Sequence, residues 1–368
     1  MNSDRVIGQV RVKKTLQSSL DRNLLAHAYL FYGQTGVGKD AMAVSMAMGL
    51  SCSKAIVGGC GSCSICQSIL RLEYPGFHLI LSVPTKIKSM SEAKYREIVR
   101  ERALQKMKEP YSQLSYMPEI STQPVIGINQ IRSMKREVML KLAGGRFRVF
   151  LLSQAHLMTI PAANSLLKLL EEPPPGTIIF LTTSLPGKLL PTIVSRCQAV
   201  RFDSLKEEEV ENVLIDQYSV QSAKAKFIAR MSGGSLRRAF ELTEEKFDNK
   251  REAAITFLEI TLSDKDIEII EYIENFLREY DKYDIKEILH ILLVWFRDIL
   301  HMQKNKSDLL MNVDCKSKLE LFLNKYKTFD IGKGIAVTER AIDFIEKNVY
   351  LQLVVFGLSQ DLKNSYLT

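Results

Sequence analysis

Apolar residues at Val10, Val12, Leu16, Leu20, Leu24 and Leu25 recur at near-helical spacing, which predicts an amphipathic helix over residues 9–24. The period then changes. Ala28-Tyr29-Leu30-Phe31-Tyr32 is a short apolar and aromatic run that stops at Gly33, and residues 42–50 are again apolar and helix-forming. A strand, a glycine-containing loop and a helix are therefore expected in that order. Further apolar runs at 78–83, 148–152 and 177–182 each lie beside a helical or turn segment. Strands alternating with helices predict a parallel sheet in an α/β domain. Residues 160–172 are patterned as a helix, which Pro173-Pro174-Pro175-Gly176 ends because proline cannot continue it.

Residues 84–124 break the alternation. They hold eight Lys and Arg, five Asp and Glu and four prolines around one helix-like segment, 91–108, and read as a surface insertion. After Phe202 the strand pattern stops. Residues 205–242 predict about three short helices, and 246–368 have apolar residues three and four apart throughout. No proline follows Pro191, which suits long uninterrupted helices.

Composition narrows the class. The chain has 368 residues, 46% hydrophobic and 25% charged. That is the profile of a globular protein of two or three domains and excludes disorder, collagen-like repeats and small disulfide scaffolds. The densest apolar stretch, 291–296, is bracketed by His290 and Arg297, far short of the ~18–20 residues that span a bilayer. The opening MNSDRVIGQVRVKK lacks the apolar core of a signal peptide. A cytoplasmic protein with no membrane contact is expected. Net charge is +8, unevenly spread: residues 246–368 carry 18 Lys and Arg against 21 Asp and Glu, net −3, leaving +11 on residues 1–245. A basic front suits a polyanion, although simple solubility explains the charge equally well.

The glycine loop is Gly33-Gln34-Thr35-Gly36-Val37-Gly38-Lys39-Asp40. In a phosphate loop, Gly33, Gly36 and Gly38 let backbone N–H groups converge on phosphate oxygens, and Lys39 reaches the outer phosphates. A Ser or Thr should come next, to place a hydroxyl on Mg²⁺, but Asp40 stands there. The run 148–152 should be followed by carboxylates, yet Ser153-Gln154-Ala155-His156 follows. His156 is a candidate base, or an ordinary polar residue at a turn. Without metal ligands, stabilisation of phosphoryl transfer is largely gone. The chain is expected not to hydrolyse ATP; whether the loop still binds nucleotide, or keeps its fold and has lost productive binding, is left open by these residues.

Cys52, Cys60, Cys63 and Cys66 are spaced C-x₇-C-x₂-C-x₂-C, with Gly58, Gly59 and Gly61 between. Four thiolates in a reducing compartment suit a closed, structural Zn²⁺ site; an iron–sulfur cluster is the alternative. Cys197 and Cys315 lie far away in sequence. Ser195-Arg196-Cys197 follows the last strand-like region. Its arginine is either a surface residue or one that reaches into another subunit's site. Gly233-Gly234-Ser235-Leu236-Arg237-Arg238 reads as a helix start with paired arginines.

In combination, Ile7-Gly8-Gln9, His27-Ala28-Tyr29-Leu30-Phe31, the GQTGVGK loop, the four-cysteine knuckle, the 163–174 segment ANSLLKLLEEPP and the SRC triplet resemble the bacterial clamp-loader family of the AAA+ class. The resemblance covers residues 1–245. It implies an α/β, P-loop-type parallel-sheet domain with a zinc knuckle over residues 1–203, a small helical lid over 204–245 and an all-α collar over 246–368. Two subunit types of that family share these motifs: a motor type with complete metal-binding residues, and a type with degraded nucleotide motifs that keeps SRC. Asp40 and Ser153-Gln154 favour the second.

On that resemblance Arg196 completes the ATP site of a neighbouring motor subunit. Thr183 and Ser184 sit at a polar sensor position, and Arg237 is the lid arginine, with Arg238 as the alternative. The partners implied are gamma/tau and delta subunits in a five-membered ring, the sliding clamp, and primed DNA reached through the assembly. An active gamma/tau-type ATPase and a stand-alone zinc nucleic-acid-binding protein are the competing readings.

Overall fold

The computed structural model describes residues 5–54, 56–84, 91–112, 124–140, 147–263, 265–306 and 309–367. Its contacts divide the chain into two compact units, 1–210 with 233–238, and 211–232 with 239–368. The division falls inside residues 204–245.

The first unit is built on a five-stranded sheet, β1 (Ala28–Tyr32), β2 (Phe77–Ile80), β3 (Arg148–Leu152), β4 (Thr177–Thr183) and β5 (Gln198–Arg201), in the order β2-β3-β4-β1-β5. Every pairing is parallel, with Leu30 opposite Leu181 and Ala199, and Leu151 opposite Phe180. Tyr29, Phe31, Phe150 and Phe180 are fully buried. A sheet covered on both faces needs such unbroken apolar strands. Three of the predicted strands form within a residue of expectation. The run 78–83 instead gives β2 at Phe77–Ile80, beyond which Val83 makes an isolated antiparallel bridge to Val125. The fifth strand was not anticipated: its side chains are exposed apart from half-buried Val200, so it carries no apolar run.

The helix after β1 is Lys39–Ser51, beginning directly at the glycine loop, and the helix ending at the prolines is Ile160–Glu171. The 84–124 segment requires a correction. Its helix Glu92–Lys108 forms, with the Ser91 hydroxyl accepting from the Lys94 N–H at its start. Where described, residues 91–101 are exposed or half-buried, as expected of a surface insertion, but Arg102, Lys106, Met107 and Tyr111 are buried, so the segment's 102–111 end packs inward. Residues 85–90 and 113–123 of it lie outside the described residues.

The second unit is helical throughout its described residues. Its long helices are Glu245–Thr261, Asp266–Glu279, Lys282–Gln303, Ile331–Glu346 and Leu351–Leu367, and Trp295 and Phe296 are buried within it. Arg251 bridges to both carboxylate oxygens of Asp314 at 2.7 and 2.8 Å, donates to Asn312 Oδ1 at 2.8 Å, and lies over the Phe227 ring at 4.3 Å. The buried Asp298 accepts from the backbone N–H groups of Met311 and Asn312. These contacts tie the helix Ser222–Met231 to the helices that follow.

Candidate nucleotide site, cysteine cluster and edge arginine

The carboxyl ends of β1, β3 and β4 bring the glycine loop, Ser153, Thr182 and Thr183 together, at the edge where open parallel sheets bind ligands. Gly36 has φ +76°, and a Cβ there would lie 2.5 Å from Ser235 Oγ. The segment 233–238 packs against the loop: Ser235 Oγ donates to Thr35 O at 2.8 Å and the Leu236 N–H to Gly36 O at 3.1 Å. The backbone of half-buried Arg237 is thereby set beside Gly36.

Lys39 opens its helix but folds back on the loop, donating to Gly33 O at 2.8 Å and Gln34 O at 2.5 Å. Burial pushes its ammonium down to about 8, with Asp40 opposing that shift and Lys106 adding to it. Asp40 is buried and has three partners. Its carboxylate accepts from Ser153 Oγ at 2.9 Å and Thr182 Oγ1 at 2.5 Å, and pairs with Lys106 Nζ at 2.8 Å. Burial alone raises an acid's pKa, but the lysine and the hydroxyls outweigh it and hold Asp40 below the usual carboxylate range.

The space left is a cavity of about 40 Å³, lined by Gly36, Gly38, Lys39, Asp40, Thr183 and Ser184 together with Lys106 and residues 110–112. Small-molecule sites occupy roughly 300–1,000 Å³, so the space between these side chains as they stand is small for a ligand of that kind. Thr183 Oγ1 is within 2.9 Å of His156 Nδ1 and accepts from the Leu185 N–H at 3.0 Å. Burial, then Lys188 and Lys39, push the His156 imidazole below its ordinary value, which favours the neutral polar residue.

Sequence reasoning missed Thr182, Lys106 and Tyr111. Thr182 is the neighbour of the residue singled out, and strand alternation turns its hydroxyl to Asp40. Lys106 carries no local signal, being one basic residue among eight in its segment.

The four clustered cysteines converge. Their Sγ atoms all lie within 4.8 Å of one another, so they could hold a metal ion. Cys52 and Cys66 are buried, and Cys60 and Cys63 half-buried. The N–H groups of Cys60, Cys63 and Cys66 donate to the sulfurs of Cys52, Cys60 and Cys63 at 3.3, 3.3 and 3.4 Å. Gly59, at φ +61°, has no room for a Cβ, which would fall 2.7 Å from Cys66 Sγ.

Arg196 does not line the cavity. Its guanidinium pairs with Glu171 Oε1 at 2.9 Å and donates to Thr192 O at 2.9 Å, and the side chain is 36% exposed. Burial pushes the neighbouring Cys197 thiol up to about 12.

The family described as DNA polymerase III, delta subunit, matches residues 8–206, and that described as DNA polymerase III, delta subunit, C terminal, matches 245–330. The DNA polymerase III subunit delta' of Bacillus subtilis (strain 168) is 29% identical over 308 residues, 83% of this chain and 81% of the relative. Subunit delta' of Pseudomonas aeruginosa is 33% identical over 173 residues, 47% of this chain and 42% of that one. Subunit tau of Bacillus subtilis is 28% identical over 246 residues, 65% of this chain but only 37% of tau. Among solved structures, a DNA polymerase III gamma subunit-related protein of Thermotoga maritima aligns at 14% identity with TM-score 0.39, covering 96% of this chain and 99% of that one.

Proposed function

The chain belongs to the DNA polymerase III delta-subunit family, and from that membership we propose that it is the delta-prime-type subunit of a clamp loader: an AAA+ protein that hydrolyses no ATP itself and lends Arg196 to a neighbour. The observation that carries the reading is the contact between Asp40 and Ser153. A motor subunit needs a hydroxyl at the first position and a carboxylate at the second, both directed at Mg²⁺. Here the two residue types are exchanged and bonded to each other, and Lys106 neutralises the carboxylate. An active motor using Asp40 as a metal ligand would need that carboxylate free.

Arg196 has the opposite character. It is partly exposed and held at the guanidinium by Glu171 and the Thr192 carbonyl, and two contacts leave donors of its five-donor fork to spare. In a ring those donors would meet the γ-phosphate of ATP bound by the adjacent subunit, where an arginine stabilises transition-state charge. The neighbours on this reading are gamma/tau and delta subunits, acting with the sliding clamp and primed DNA. The basic residues 1–245 would face the DNA and residues 246–368 would serve as the collar. Among the described residues no helix is long and apolar enough to cross a membrane, in keeping with a cytoplasmic site of action.

We assign the cysteine cluster to one structural Zn²⁺. Four Zn–S bonds of about 2.3 Å in a tetrahedron put sulfurs about 3.8 Å apart, and Cys60 and Cys66 already stand at 4.0 Å. When bound, the ion cross-links the 52–66 knuckle and leaves no position for water. The reading as a whole is tested on the isolated chain by Mg²⁺-dependent, DNA-stimulated ATP hydrolysis. No turnover is expected, and turnover would sink it.

A further inference from the structure

We propose that the metal position of this phosphate loop is a cation site whose resident is the chain's own Lys106 ammonium, delivered by the 91–112 insertion. The inference rests on the non-hydrolysing reading and extends it, because it says what fills the site instead.

An ammonium has three donors and no acceptor. Lys106 Nζ meets three acceptors, Asp40 Oδ2 at 2.8 Å, Pro110 O at 2.9 Å and Ser112 O at 2.8 Å. One carboxylate and two backbone carbonyls are also the hard oxygen set that suits Mg²⁺ or Ca²⁺, here closed around a lysine. Asp40 in turn accepts from the Ser153 and Thr182 hydroxyls. Both Lys106 and Asp40 are buried. A buried carboxylate stripped of its partner is strongly destabilising, so Asp40 requires a cation whether or not nucleotide is present.

The insertion is anchored for this task. The Tyr111 hydroxyl accepts from the Ile7 N–H at 2.6 Å and donates to Arg5 O at 3.2 Å. It crosses the loop so closely that a Cβ on Gly38 would come 3.0 Å from the Tyr111 oxygen. Burial pushes the Tyr111 phenol well above its ordinary range, which keeps it a neutral donor. Residues 110–112 then line the cavity opposite the glycine loop.

The test uses the full chain in four forms: wild type, Lys106→Met, Asp40→Asn and the double variant. Thermal unfolding of the zinc-loaded chain is followed in buffer without chelator or added divalent ion, in millimolar MgCl₂, and in NaCl of matched ionic strength. Lys106→Met should unfold several degrees lower and be partly rescued by MgCl₂ but not by NaCl, because its bare carboxylate accepts the divalent ion. Wild type and the double variant should ignore Mg²⁺, and the double variant should regain most of the midpoint lost by either single change. The proposal is overturned if Lys106→Met unfolds at the wild-type midpoint or does not respond to Mg²⁺. If Lys106→Met fails to fold, recovery in the double variant supports the proposal and its failure overturns it. A chain that fails this cycle yet hydrolyses no ATP keeps the non-hydrolysing reading; turnover by the wild type removes that reading instead.

Discussion

Ser153 Oγ donates to Asp40 Oδ2 at 2.9 Å, so the two residues that would share a metal ion in an ATPase are exchanged in type and held against each other. A hydroxyl has moved to the end of β3 and a carboxylate to the start of the helix Lys39–Ser51. On the non-hydrolysing reading proposed above, the pair keeps its contact and gives up metal binding. The carboxylate has become a structural acceptor for two hydroxyls and one ammonium.

Acid titration should expose that structural role. A folded-state pKa below the ordinary value contributes stability that is fully present above the unfolded value of about 3.9 and is lost as pH falls through the folded one. Asp40 is shifted in that direction. The stability difference between wild type and Asp40→Asn, from urea unfolding, is expected to be flat above about pH 5 and to shrink toward pH ~2. A difference that grows on acidification would contradict the assignment.

The cysteine cluster predicts about one Zn²⁺ per chain by metal analysis, since four thiolates fill one site. Cys63→Ser with Cys66→Ser should abolish the zinc and lower the unfolding midpoint of the first unit; even ~2 kcal/mol corresponds to roughly 4–8 °C in a domain of this size. An iron-containing, coloured protein would replace zinc by a cluster.

In the second unit, Arg251→Ala should cost about 3–5 kcal/mol, because it leaves Asp314 without its bidentate partner. Arg251→Lys should recover only part of it, since an ammonium cannot span both oxygens and Asn312 while lying over Phe227. Denaturant unfolding of the three forms decides this. Equal stability would show the network to be dispensable.

Cys197 should resist alkylation in the folded chain. With its thiol pushed up to about 12 by burial, its thiolate fraction near pH 8 is on the order of a thousandfold below that of a free cysteine. Rapid labelling, read by mass spectrometry, would mean that the SRC turn opens in solution.

Much of this was legible in the sequence because the signals were local. The strands β1, β3 and β4 are unbroken apolar runs, the 160–172 helix has its proline stop, and the cysteine spacing already implied convergence. What escaped depends on contacts between segments remote in sequence. Strand β5 is an exposed edge held by backbone pairing to β1, and pairing leaves no hydrophobic pattern. The insertion looked solvated because its composition is basic, yet Lys106 is buried by a carboxylate outside its own segment. The odd residue at position 40 was visible; the lysine that explains it was not.

The most direct measurement is the DNA-stimulated ATPase of the reconstituted clamp loader carrying Arg196→Ala in this subunit, beside the same complex carrying Lys39→Ala. Loss of an arginine supplied in trans typically costs about 10³–10⁵ in turnover at the site it serves. The account predicts that Arg196→Ala lowers the complex's ATPase with assembly intact, while Lys39→Ala leaves it unchanged. The reverse result, full activity with Arg196→Ala and a loss with Lys39→Ala, would make this chain a motor and contradict the account.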